Sequence, residues 1–262
     1  MTSRLFSTLL ALLAIAGIQT AQAKVLVFGG TGMIGYEIVK ALKAQDQDVT
    51  VFVRATSNVD DLDKIDVPYV VGDVLDADSL NRVFKEGDYD AVISSISRSG
   101  SFGSAQEGVT IHRTGNNAIT AAAGLGCVDH LILMGTVGAG DSSGTLGERQ
   151  RTSFKQIYAD KTAAENFLRA SGLTYTIVRT GIILTDKPTG TVEFTEDRTV
   201  RHAANVFDFA AMTAGCVDNP DCANKIFHTH DPAIPPLNME DMMKAFEGLA
   251  AFENKRRGKK TE

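Results

Sequence analysis

Cysteine is scarce in this chain, with three in 262 residues, too few for the disulfide framework on which small secreted scaffolds depend. Cys216 and Cys222 flank Val-Asp-Asn-Pro-Asp, a turn-forming run that could bring them together in an oxidising compartment. Closing so short a loop gains little from chain entropy, so such a bond would act through local rigidity. Cys127, in Gly-Leu-Gly-Cys-Val ahead of a strand, reads as buried packing. Positive charge is also in short supply: 26 Lys and Arg against 32 Asp and Glu leave a net charge of -6. That balance argues against a general nucleic-acid binder, which needs a basic face. The one concentration of cations is the tail from Lys255 to Lys260. No repeat, low-complexity tract, G-x-S-x-G elbow or Walker A lysine occurs. His112, His202, His228 and His230 are scattered without a partner set, so no metal is expected. At 44% hydrophobic and 22% charged residues, the chain can bury a full core.

What the chain does have is glycine placed between a strand and a helix. Residues 24–41, KVLVFGGTGMIGYEIVKA, give an apolar run ending at Phe28, four glycines within the next seven positions, and then an amphipathic helical pattern. Gly30, Gly32 and Gly35 fit the spacing G-x-G-x-x-G, while Gly29, Gly32 and Gly35 fit G-x-x-G-x-x-G. A dinucleotide pyrophosphate rests in such a setting, against unpaired amides at the positive end of the helix dipole. Glycine lets the chain turn tightly, lets backbone approach phosphate, and lets the helix pack close to the sheet. Gly29, Gly30, Thr31, Gly32, Met33, Ile34 and Gly35 are therefore the expected coenzyme cradle.

Ahead of that strand, residues 1–23 place one cation, Arg4, before an apolar run over residues 5–18 and end on Ala21-Gln22-Ala23. This order fits a secretory signal peptide, and the run is short for a membrane span. Cleavage after Ala23 would start the mature chain at Lys24, directly at the nucleotide-binding strand. The expectation is export to the secretory pathway or periplasm, with no stable membrane span after cleavage; an uncleaved N-terminal anchor is the alternative. There is no twin arginine, so a bacterial chain would cross unfolded and meet its coenzyme outside.

Beyond the glycines, strand and helix patterns alternate. Strands are expected at 48–54, 68–72, 91–96, 130–134 and 174–179, with helices around 79–84, 110–123 and 159–170. Short, mostly apolar strands alternating with helices predict an α/β fold with a doubly wound parallel sheet, covered on both faces. Ligands in such sheets bind beyond the carboxyl ends of the strands. Arg54 closes the second strand, where an acidic residue would bond the ribose 2′-hydroxyl of NAD. An arginine there suits a 2′-phosphate by charge and geometry, so NADP, as NADPH, is the expected coenzyme and NAD the alternative. Asp73 and Val74, after the third strand, are placed to meet adenine; Ser94 and Ser95, ending the fourth, to line the nicotinamide side. Met239, Met242, Met243, Phe246, Leu249 and Phe252 have helical spacing, which predicts a core-covering helix, or else one lining an apolar pocket.

The segments GGTGMIG, VFVR, GDVLDADSL, DAVISSIS, NAITAAAGLGCVDHLILMGT and KTAAENFLRASGLTYTIVRTGIIL together resemble the atypical short-chain dehydrogenase/reductase superfamily. Within it the chain looks most like the NAD(P)H-binding NmrA-like and biliverdin/flavin reductase types. The resemblance covers residues 24–184. It implies one Rossmann-like domain over 24–262, with a small substrate-binding region largely within 185–262. In many members a tyrosine and a lysine four residues apart share a helix face. The lysine holds the nicotinamide ribose and lowers the tyrosine pKa, so that the phenol exchanges a proton as hydride moves. Here Tyr158 and Lys161 are three apart and Ile157 takes the fourth place, so Lys161 is expected to touch the coenzyme while Tyr158 is an off-register acid. Thr136 stands where the superfamily commonly has a serine or threonine that hydrogen-bonds a substrate carbonyl. Lys161 and Glu165, one turn apart, would equally suit a surface ion pair. Loops 138–156 and 185–205 are expected to set specificity, the first as a mobile loop over the nicotinamide. The functional expectation is an NADP-preferring oxidoreductase transferring hydride to a small carbonyl, quinone, flavin or tetrapyrrole-like acceptor. Its alternatives are a nucleotide-sugar epimerase-like enzyme and a catalytically silent NADP-binding sensor or assembly factor. The partner is a small molecule; oligomeric state has no signature in the sequence.

Overall fold

The computed structural model describes residues 22–97, 110–235, 237 and 239–256. The expected targeting segment lies outside the described residues, apart from Gln22 and Ala23. Strands β1 (Lys24–Phe28), β2 (Asp48–Val53), β3 (Tyr69–Val71), β4 (Ala91–Ser94), β5 (His130–Thr136) and β6 (Thr174–Thr180) build one sheet. It is interleaved with helices α1 (Met33–Ala44), α2 (Asp60–Asp63), α3 (Ala77–Gly87), α4 (Asn116–Leu125), α5 (Glu148–Ser153) and α6 (Lys155–Ala170). Beyond it come β7 (Ile183–Leu184), β8 (Glu193–Thr195), β9 (Ala204–Asn205), α7 (Val206–Ala214), β10 (Lys225–His230) and α8 (Met239–Arg256). The main sheet runs β3-β2-β1-β4-β5-β6-β10-β8, parallel except for β8, which is antiparallel to β10; β7 and β9 form a separate parallel pair. This is the Rossmann-like, doubly wound sheet that the alternating pattern predicts.

Both faces are buried because successive strand residues point to opposite sides. In β1, Val25 and Val27 join the core under α1 and α7, whereas Leu26 and Phe28 join the core under α3, α4 and α6. The same alternation holds in β5, with Ile132 and Met134 on one side and Leu131 and Leu133 on the other. The C-terminal residues do not stand apart as an appendage: β10 extends the main sheet beside β6, and α7 buries Phe209, Ala210 and Ala214 in the α1 core.

Some local expectations change. The fifth strand runs two residues further than its apolar stretch, carrying Thr136 into the sheet opposite Thr180. Loop 138–156 is a short helical turn over Gly140–Thr145 followed by α5, held by Ser142, whose hydroxyl donates to the Ala139 carbonyl at 2.7 Å. Cys127 is exposed rather than buried, because the chain takes a left-handed turn there (φ 55°) and Val128 faces the core instead. Cys216 and Cys222 are joined in a disulfide, their Cα atoms 5.5 Å apart. No helix among the described residues is long and apolar enough to cross a membrane.

Candidate functional site

β1 is flanked by β2 on one side and β4 on the other, so the connections leave it in opposite directions and a crevice opens at its carboxyl end. The glycines shape that crevice. Gly29 has φ 81°, and a Cβ there would lie 2.6 Å from the Ser95 carbonyl oxygen, so only glycine fits. At Gly35 a Cβ would overlap the Gly29 carbonyl, so the start of α1 can approach the turn only without a side chain. Gly32 caps α1 with no side-chain hydrogen bond, and no acidic residue sits in the first turn. The positive end of the helix is thus left to a ligand, which is what a diphosphate requires.

The crevice is a cleft of about 850 Å³, within the range of cofactor sites. Gly29, Thr31, Gly32, Met33 and Ile34 line its centre; Phe52, Arg54, Ser57 and Val74 line one end. Ser95, Ile96, Thr136, Phe154, Lys161 and Thr180 line the other. Five expected residues do not line the cleft. Gly30 faces Val51. Gly35 is packed beneath the turn, and Asp73 Oδ1 accepts from the Leu75 amide at 2.9 Å. The Ser94 hydroxyl donates to Asn116 Oδ1 at 2.6 Å on the buried side of β4, so the next residue, Ser95, reaches the cleft. Tyr158 packs its ring against Gly138 and edge-on to Phe154, centroids 6.2 Å apart, with burial pushing its phenol pKa up.

Lys161 reaches the cleft from α6 and donates through Nζ to the Met134 carbonyl at 2.9 Å. Burial lowers its pKa to about 8, against the pull of Glu165. His112, in the π-helical turn Ile111–Gly115, is pushed down to about 4 by burial and by the Lys161 charge, with Asp160 opposing. Glu165 does not pair with Lys161. It grips Arg179 of β6 in a fork, Nε to Oε1 at 3.2 Å and Nη2 to Oε2 at 2.7 Å, both side chains 2% exposed. Arg179 also holds Asp141 of the loop after β5. Gly135 leaves room for the pair: a Cβ there would lie 2.8 Å from Glu165 Oε1.

Thr180 and Phe209 are cleft residues that the sequence pattern does not single out. Thr180 lines the cleft with a buried hydroxyl that has no partner among the described residues; its strand-end position was the available signal. The roof, formed by Phe209 of α7 and Phe246, Leu249, Ala250 and Glu253 of α8, comes from distant chain. α8 meets both of its expectations: Leu249 packs against the core under α1 and α7 and, with Phe246, lines the cleft, while Met243 is 55% exposed. Among the described residues no group of acidic, histidine and cysteine side chains could hold a metal.

Comparison with known proteins agrees with this geometry. A family described as NAD(P)H-binding matches residues 29–220. The uncharacterized sugar epimerase YhfK of Bacillus subtilis (strain 168) is 26% identical over 205 residues, spanning 78% of this chain and 92% of YhfK. Among solved structures, the anaerobillin reductase ChuY of Escherichia coli O157:H7 superposes with a TM-score of 0.69 at 23% identity, over 82% of this chain and all of ChuY (100%). A wide-type short-chain dehydrogenase/reductase of Veillonella parvula DSM 2008, in complex with NADP, gives a TM-score of 0.63 at 15% identity, over 81% of this chain and 96% of its own. At those identities the two structures speak for the fold.

Proposed function

Since this chain belongs to the NAD(P)H-binding family, we propose that it is an NADP-preferring oxidoreductase that passes hydride to a small, largely apolar acceptor bearing a carbonyl or conjugated ring system. The acceptor class takes in carbonyls, quinones, flavins and tetrapyrrole-like molecules. One observation carries the reading: a single cleft joins a side-chain-free cradle at a helix N-terminus, an arginine at one end, and a lysine with two threonines at the other. The nicotinamide coenzyme, when bound, supplies hydride; the residues of the chain hold it and manage the proton. Gly29, Gly32 and the start of α1 would take the diphosphate, Arg54 and Ser57 the 2′-phosphate, and Lys161 the nicotinamide ribose. Thr136 and Thr180 offer hydroxyls to an acceptor oxygen, between the apolar walls of Ile96, Ile111 and Phe154.

The name of ChuY supports a reductase, and that of YhfK an epimerase. Against the epimerase reading, the residues after Leu184 are spent on β10, α7 and the roof helix; among the described residues no separate sugar-nucleotide domain is formed. A catalytically silent sensor would bind NADPH without oxidising it. The test is therefore NADPH oxidation with quinones, flavins and aldehydes, alongside coenzyme affinities for wild type and Arg54→Glu. Wild type is expected to turn over and to favour NADPH, and the charge reversal to cut that preference at least about tenfold, or 1.4 kcal/mol. Equal affinities for NADPH and NADH in both proteins would defeat the assignment of Arg54.

The order of residues in 1–23 supports action in the secretory pathway or periplasm. N-terminal sequencing of exported protein is expected to read Lys24 first; a chain still carrying residues 1–23 would point to the anchored form.

A further inference from the structure

The last helix is built into the coenzyme cleft, beyond residue 220 where the family match ends. α8 lies across the glycine-rich turn, and its final described residue, Arg256, inserts into the nucleotide-binding half with its side chain 11% exposed. Nη2 donates to the Thr31 carbonyl oxygen at 2.8 Å, and Nη1 to the Asp61 carboxylate of α2 at 2.9 Å. The guanidinium carbon sits 5.3 Å from the centroid of the Tyr36 ring on α1, whose hydroxyl donates to the Asp61 carbonyl at 3.3 Å. One turn back on α8, Glu253 lines the cleft and takes the same guanidinium in a fork, Nε to Oε2 at 3.0 Å and Nη2 to Oε1 at 2.8 Å.

We propose that Arg256 is a positioning residue for the coenzyme, a latch that pins α8 as a roof over the phosphate turn so that a bound dinucleotide leaves only when the latch opens. The inference rests on reading the cleft as a dinucleotide site. Two physical effects support it. The latch fixes the carbonyl of Thr31, inside the turn that must present amides to phosphate, and a turn held in its binding shape loses less entropy when a ligand arrives. The guanidinium also offsets part of the negative charge of Glu253 and of Asp61, which it shares with Lys64, and so weakens the repulsion that these carboxylates would exert on an incoming diphosphate. Lysine cannot substitute, because one ammonium does not span a backbone oxygen and two carboxylates while stacking on a ring.

The experiment measures coenzyme dissociation by stopped-flow displacement in the full chain, for wild type, Arg256→Ala, Arg256→Lys and Asp61→Asn. Arg256→Ala is expected to release NADPH and NADH at least tenfold faster, by similar factors for the two, with kcat at saturating coenzyme not lowered. Arg256→Lys is expected to resemble it, and Asp61→Asn, which keeps the hold on Thr31, to give a smaller acceleration. Release within twofold of wild type in the folded variants overturns the latch while leaving the cleft assignment intact. Wild type that binds neither nucleotide defeats the cleft assignment itself. Asp61→Asn preserves the test should Arg256→Ala fail to fold.

Discussion

Glu165→Ala is expected to lower the free energy of unfolding by about 3 kcal/mol, the low end of the cost of stripping one partner from a buried ion pair. Arg179 is 2% exposed and has two carboxylate partners, so the variant leaves it with Asp141 alone. Asp141 is 60% exposed and works partly in water, so it cannot replace the buried fork. The pair joins α6, which carries Lys161, to β6, which carries Thr180, and through Asp141 it tethers the turn Gly140–Thr145. Denaturant unfolding measures the loss. In the double variant Glu165→Leu, Arg179→Met, no charge is left uncompensated and most of the stability is expected to return. A loss in Glu165→Ala below about 1 kcal/mol would mean that water reaches Arg179, and the pair would then rank with surface ion pairs.

What the chain disclosed about itself follows the range of each signal. The glycine turn, the strands and the place of Arg54 at the cleft rest on neighbours within a few residues, and local spacing carries them: Gly29 and Gly35 are needed by local backbone contacts, and β1 reads as apolar because both its faces are covered. Ser94 and Ser95 show where this stops. Strand alternation sends one side chain to Asn116 and the other to the cleft, and a slip of one residue reverses them. Glu165 has Lys161 as its helix neighbour, and the spacing rule favoured that pair. The sheet supplies a better partner in Arg179, fourteen residues away, which only the packing of α6 on β6 brings within reach. The roof is the least legible part: Arg256 meets Thr31 across a separation of 225 residues.

The second large effect is expected at Lys161. Tyr158 does not line the cleft and burial raises the pKa of its phenol, which favours Lys161 over it as the expected proton donor. Lys161 lines the cleft with its Nζ on the Met134 carbonyl of the adjoining strand, and burial has brought its ammonium to a pKa of about 8. A group titrating that close to neutrality can give up a proton at little cost, the condition under which general acids are efficient. Lys161→Ala is therefore expected to reduce kcat/KM on the order of 10²-fold or more, and Tyr158→Phe to leave it within twofold. The pH profile separates a proton donor from a residue that only holds ribose. In the reducing direction wild-type turnover is expected to fall as pH rises through about 8, where the ammonium is lost. That limb should vanish in Lys161→Ala, leaving a slow, flat rate fed by solvent. His112 does not supply an alternative limb in that range, since burial and the Lys161 charge keep it neutral down to about 4. A Lys161→Ala variant that loses coenzyme affinity yet turns over at the wild-type rate when saturated would leave the lysine a holder of ribose and place the proton source in water.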